Sequence, residues 1–297
     1  MLGAVISPTV RHVRVNELEY RVLDWSPPEF GAIALLLHGF MDAAGTWDHV
    51  APALVAAKIR VLAPDLRGFG HGARVPSGGY YHFPDYVFDV ADLVDALVTP
   101  APLYLVGHSM GGTVATLYAG TFPDRVRKLA LLEGAGPPDN QPDVAPVRMR
   151  RWIEEVRAVR AKEGAPRSLG TRDDALRRLQ GNHRTVDDAI LKDRLPHLVR
   201  ELDGDHVAWA NDPLHKTLSP MPFFASVFRA FAAQVTCPVL YVGGGPEGYH
   251  PPDEDERLAS FKHLERVEIG GAGHMMHWTR PAELGHHLVT FWEKEMT

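Results

Sequence analysis

Between residues 103 and 122 the chain reads Leu103-Tyr104-Leu105-Val106, then Gly107-His108-Ser109-Met110-Gly111 and Gly112, then a helical pattern. A serine flanked by glycines between a strand and a helix describes a sharp turn in which the two elements pass too close for side chains on either flank. The strand ahead of it is apolar on both faces, as a buried central strand of a parallel sheet must be. The helix behind it puts Ser109 at an N-terminus, where unsatisfied N–H groups favour a developing negative charge. Ser109 is therefore the candidate nucleophile, and the fold must be one that holds a parallel sheet under it.

The surrounding chain reads the same way. Strands are expected at 10–15, 19–23, 33–37, 60–63, 103–106 and 128–132, with helices at 47–57, 83–97 and 110–122 between them, the alternation of a sheet with crossover helices. The stretch from Ala135 to Pro142 holds one glycine and three prolines and reads as a hinge-like linker. An Arg-rich helical region follows, with segments near 147–162, 172–180, 186–195 and 222–233 and no expected strand. Strands resume at 238–242 and 266–269, and a helix at 281–293 closes the sequence. The expected organisation is a core of residues 1–136 and 234–297 with a helical lid, 137–233, inserted into it.

Two further motifs carry chemistry. His38-Gly39-Phe40 ends the apolar run 33–37. An acyl-transfer site needs two N–H donors for an oxyanion, one after the nucleophile and one from such a loop, and Met110 and Phe40 fill those positions. His38 itself reads as a residue that orders the loop. Gly271-Ala272-Gly273-His274 follows the last expected strand. A serine hydroxyl needs a base within hydrogen-bond reach, and His274 has the right type and the right place in chain order. His277, His286 and His287 lie in or beside the terminal helical pattern and read as surface or packing residues. The sixteen histidines follow no metal-ligand pattern, and the lone Cys237 can form no disulfide within the chain, so neither metal nor cofactor is expected.

These motifs, together with Pro64-Asp65-Leu66-Arg67-Gly68-Phe69-Gly70, resemble the α/β-hydrolase superfamily over nearly the whole chain. The resemblance implies an α/β fold with a mostly parallel eight-stranded sheet, helices on both faces and a lid after the sixth strand. That layout is similar to the branch holding haloalkane dehalogenases, epoxide hydrolases and lidded esterases. The first two use aspartate where this chain has Ser109, so their activities are not implied. Many relatives place the acid of the triad a few residues beyond the seventh strand. Here that stretch is Gly243-Gly244-Gly245-Pro246-Glu247-Gly248, with no aspartate before Asp253. Some dehalogenase relatives place a glutamate at the end of the sixth strand, where this chain has Glu133. Glu133 is favoured over Glu247 because it closes an otherwise continuous apolar strand, where a charge has no packing reason to be.

Pocket walls are expected from Phe40, Trp47, Met110, Trp209, Met221, Phe223, Phe224 and Phe228, with residues 78–82 as a loop over the site or an exposed turn. The lid arginines 148, 150, 151, 157 and 160 read as a solvated face. The expected activity is hydrolysis of small to medium carboxylic esters through an acyl-enzyme on Ser109. Carbon–carbon, lactone or thioester cleavage by the same triad, and a non-enzymatic ligand receptor on the same fold, remain alternatives. A net charge of −6 with dispersed cations argues against nucleic acid or an anionic membrane as partner. The first eight residues carry no cation ahead of their short apolar run, and no segment reaches about 18 apolar residues, so a cytoplasmic protein is expected.

Overall fold

The computed structural model describes residues 7–98, 100–162 and 167–294, so most of the amino-terminal segment read above lies outside the described residues. Among the described residues the strands are β1 (Thr9–Val15), β2 (Leu18–Trp25), β3 (Ala32–Leu37), β4 (Ile59–Pro64), β5 (Leu103–His108), β6 (Lys128–Leu132), β7 (Val199–Glu201), β8 (Val207–Trp209), β9 (Val239–Gly243) and β10 (Leu264–Glu268). The helices are α1 (Ala51–Ala56), α2 (Phe83–Leu97), α3 (Met110–Thr121), α4 (Ala145–Arg160), α5 (Arg172–Asn182), α6 (Asp188–Leu198), α7 (Ala225–Ala232), α8 (Glu254–Leu258), α9 (Met276–Thr279) and α10 (Pro281–Glu293).

Eight strands form one sheet in the order β1-β2-β4-β3-β5-β6-β9-β10. β2 runs antiparallel to both β1 and β4, and all other pairings are parallel. The pleat explains why the central strands are apolar throughout. Ile33, Leu35 and Leu37 of β3 and Leu129 and Leu131 of β6 join one core layer with α2 and α3. Ala34, Leu36, Ala130 and Leu132 join the other, with α1 and α10. Both faces are thus covered by helices, as a parallel sheet requires.

After β3 the chain steps to β4 on one side and then crosses to β5 on the other. The crevice at the carboxyl ends of β3 and β5 is the position where open α/β sheets bind ligands.

Between β6 and β9 lies an insertion carrying α4 to α7. It has a small core of its own, in which Leu169, Ala175, Leu179, Leu191, Leu195, Leu198 and Val207 pack against Ala43, Met275 and Trp278 of the sheet domain. The absence of strands expected here needs correcting. β7 and β8 form a short antiparallel hairpin, too brief for periodicity to reveal. α7 starts three residues later than expected because Pro222 and the extended Phe224 precede it. It packs on α3 of the sheet domain: a Cβ on Gly120 would lie 2.4 Å from the Phe231 carbonyl oxygen. The helix expected at 47–57 divides into a 3-10 turn, Ala44–Trp47, and α1.

Candidate active site

Ser109 leaves β5 with φ 51° and ψ −115°, a conformation that costs a residue with a side chain and persists only where the surroundings enforce it. They do so by close approach. A Cβ on Gly107 would stand 2.3 Å from the Gly111 carbonyl oxygen, and one on Gly111 would stand 2.3 Å from that of Leu37. The Ser109 N–H donates to Leu132 O at 2.9 Å, tying the turn to the end of β6.

The residue that follows β6 is Glu133, also left-handed at φ 46°. Its side chain is completely buried, and a buried carboxylate demands partners. Oε1 accepts from the Gly244 N–H at 2.6 Å, and Oε2 accepts from the Tyr249 N–H and from His274 Nδ1–H, each at 2.6 Å. The two backbone donors come from the loop after β9, which wraps the carboxylate. The wrapping needs glycine at 248, where a Cβ would fall 1.9 Å from Oε1. Glu247, the other candidate, is exposed on the same loop. With Nδ1–H committed to Glu133, the neutral form of the ring carries its lone pair on Nε2, the tautomer a general base uses.

Ser109, Glu133 and His274 all border one cavity of about 520 Å3. Among the described residues no hydrogen bond joins the Ser109 hydroxyl to the His274 ring; such contacts are commonly long without substrate and tighten in the complex. Met110 begins α3, so its N–H has no partner within the helix, and the Phe40 N–H likewise donates to no protein acceptor among the described residues. Both side chains border the cavity.

The remaining walls differ from the expected aromatic set. Trp47 is fully buried behind the site against His277, with ring centroids 4.8 Å apart. Trp209 lies on β8 in the insertion, Phe228 is core against Phe261, Phe223 packs on Phe228, Phe224 caps α7, and Met221 is exposed. The cavity is bordered instead by Tyr80, Tyr81, Phe83, Tyr86, Thr113, His215, Thr217 and Tyr249, among others. Tyr80 and Tyr81 belong to the 78–82 stretch, which is therefore wall and not a detached turn; Tyr80 Oη also bonds the Thr217 hydroxyl at 2.7 Å. His215 carried no signal in the sequence. It sits between Phe69 and Tyr81, centroids 3.9 and 4.0 Å away, and burial lowers its pKa to about 4.

The other histidines near the site are structural. His38 Nε2 accepts from the Leu66 N–H at 3.0 Å and its Nδ1–H donates to Gly39 O at 2.8 Å, which orders the loop carrying Phe40. His108 Nε2–H donates to the carbonyl of His274 at 2.8 Å, and burial holds its pKa well below the usual range, so it stays neutral. His277 donates to Asp42 at 2.8 Å. Asp42, His108 and His277 form a buried cluster with ligand-type atoms within 4.8 Å of one another. Each imidazole commits Nε2 to a hydrogen bond, while Nδ1 of each is buried without a partner among the described residues. His286 is exposed and His287 half-buried on α10. Of the lid arginines, Arg148 donates to Ser219 O, Arg160 to Gly79 O, and Arg151 pairs with Glu155; none reaches Glu133.

The model of the alpha/beta hydrolase fold family matches residues 35–281, the span from β3 into the last helix. The chain belongs to this family. A serine hydrolase-like protein of Danio rerio is 31% identical over 190 residues, covering 64% of this chain and 57% of that protein. Epoxide hydrolase B of Mycobacterium tuberculosis is 35% identical over 106 residues, 36% of this chain and 30% of that enzyme. The chain thus spans between 30% and 57% of the length of these two relatives. Among solved structures, a hypothetical protein of Pseudomonas aeruginosa PAO1 superposes with a TM-score of 0.82 at 25% identity, covering 96% of this alpha/beta hydrolase and 99% of that chain. No helix among the described residues is long and apolar enough to cross a membrane.

Proposed function

We propose that this alpha/beta hydrolase is a serine esterase acting on small to medium carboxylic esters with an apolar acyl part. The observation that carries the reading is the His274–Glu133 hydrogen bond at the rim of the cavity that also holds Ser109. In the cycle, His274 takes the Ser109 proton as Oγ attacks the ester carbonyl, and the Met110 and Phe40 N–H groups receive the oxyanion. The tetrahedral intermediate collapses, the alcohol leaves with the proton from His274, and water repeats the sequence on the acyl-enzyme. Glu133 accepts from Nδ1–H and holds the imidazolium in place. The phenyl and tyrosyl walls suit an apolar acyl group, and the cavity volume is in the range of small-molecule sites. The serine hydrolase-like relative supports the reaction class. The intact nucleophile, base, acid and free N–H pair favour an enzyme over a receptor.

The test is turnover of a chain-length series of p-nitrophenyl esters by the wild-type protein and by Ser109→Ala. Turnover that vanishes in the variant is the expected result. Equal turnover in both would sink the proposal, and none on any ester would redirect it to another bond type.

A further inference from the structure

The insertion holds a second cavity, of about 110 Å3, the space of roughly three or four water molecules. Its wall includes Arg167, Arg178, Arg200, Lys216 and Trp209. Four cations meet at this one small opening in a chain of net charge −6. Among the described residues, none of the four side chains forms a hydrogen bond or an ion pair. Their neighbours do: Arg172 pairs with Glu201, Arg177 with Asp174 and Arg151 with Glu155. Arg200 Nε is buried and has no acceptor, a costly state for a guanidinium. The charges also crowd one another. Burial and Arg74 lower the pKa of Arg200, while burial, Arg167 and Arg178 lower that of Lys216. The carboxylate that acts on Arg200 is Asp212, and its oxygens already accept from Tyr81 Oη at 2.8 Å and from the Leu214 N–H at 2.9 Å.

A fold that gathers like charges without neutralising them is relieved by an anion. We propose that this cavity binds a phosphate group, with Arg200 and Lys216 as its principal ligands. Guanidinium N–H groups match phosphate oxygens in pairs and an ammonium adds a compact charge, while the small volume admits one oxyanion head group. The place of the cavity gives the binding a purpose. His215 and Thr217 border the cavity of Ser109, and Lys216 between them borders this one. A phosphate held here lies one residue behind the wall of the reaction cavity, where it is either carried by a substrate or arrives free and acts on the insertion.

The experiment is calorimetric titration of the whole protein with sodium phosphate at constant ionic strength, with sodium chloride as reference. Saturable binding of one phosphate per chain is expected, weakened at least about tenfold in Arg200→Gln and in Lys216→Gln and unchanged in Arg157→Gln, a change on the exposed side of α4. Two kinetic arms separate the sources. A substrate-borne phosphate raises KM for a phosphate-bearing thioester in Arg200→Gln but leaves the KM of a neutral p-nitrophenyl ester alone. A free effector changes the neutral ester rate in the wild type and not in the variant. Absent saturable binding, or equal affinity in wild type and both glutamine variants, overturns the proposal. Binding is read as heat without turnover, so the result stands apart from the esterase reading.

Discussion

At the scale of single residues, the arrangement of Glu133 makes the sharpest demand. All three of its bonds come from donors, two backbone N–H groups and the imidazole N–H. An amide in its place would turn an NH2 group towards one of them. Glu133→Gln is therefore expected to lower kcat by roughly 10^3- to 10^4-fold, the scale seen when a triad acid becomes its amide, with Glu247→Gln within about twofold of wild type. Gly248→Ala gives an independent check. Glu133 remains, but its carboxylate must move, and a displacement of about 1 Å costs on the order of 10^2 in rate. Normal turnover in Gly248→Ala would refute the wrapping. Ser109, Glu133 and His274 stood out in the sequence because each follows an apolar strand or a glycine turn. Trp47, Phe228 and Trp209 misled because aromatic identity does not say which layer a ring joins, and that is decided by strand register far along the chain. His215 left no trace because its surroundings, Phe69 and Tyr81, lie more than a hundred residues away.

At the scale of elements, the sheet was readable because its central strands supply both core layers and so are apolar without interruption. The hairpin of β7 and β8 was not, since three residues a side give no period. The packing of α7 on α3 was equally hidden, because Gly120 looks like any other helical glycine until Phe231 is placed against it. Gly120→Ala is expected to destabilise by about 1–3 kcal/mol through the clash with the Phe231 backbone, lowering Tm by roughly 2–4 °C per kcal/mol. Since α7 does not border the cavity, kcat should hold. Calorimetry beside an esterase assay separates the two, and a fall in kcat with unchanged Tm would contradict this account.

At the scale of the whole molecule, buried neutral histidines set the response to acid. Burial lowers the pKa of His215 to about 4 and lowers those of His108 and His277 as well. The unfolded chain takes up a proton on each near 6.5 and the folded chain resists it, so stability is full above 6.5 and falls as the pH drops towards about 4. For His215 that interval amounts to roughly 3 kcal/mol. Thermal midpoints should therefore decline steadily from pH 7 to 4.5, and less steeply in His215→Gln; equal slopes would remove His215 from the cause. A different consequence follows from the loop that encloses Glu133. It contributes only main-chain donors and no carboxylate of its own, so the charge it holds stands one strand away, at the end of β6. A search for a carboxylate behind β9 alone would pass over Glu133, which meets His274 from the neighbouring strand.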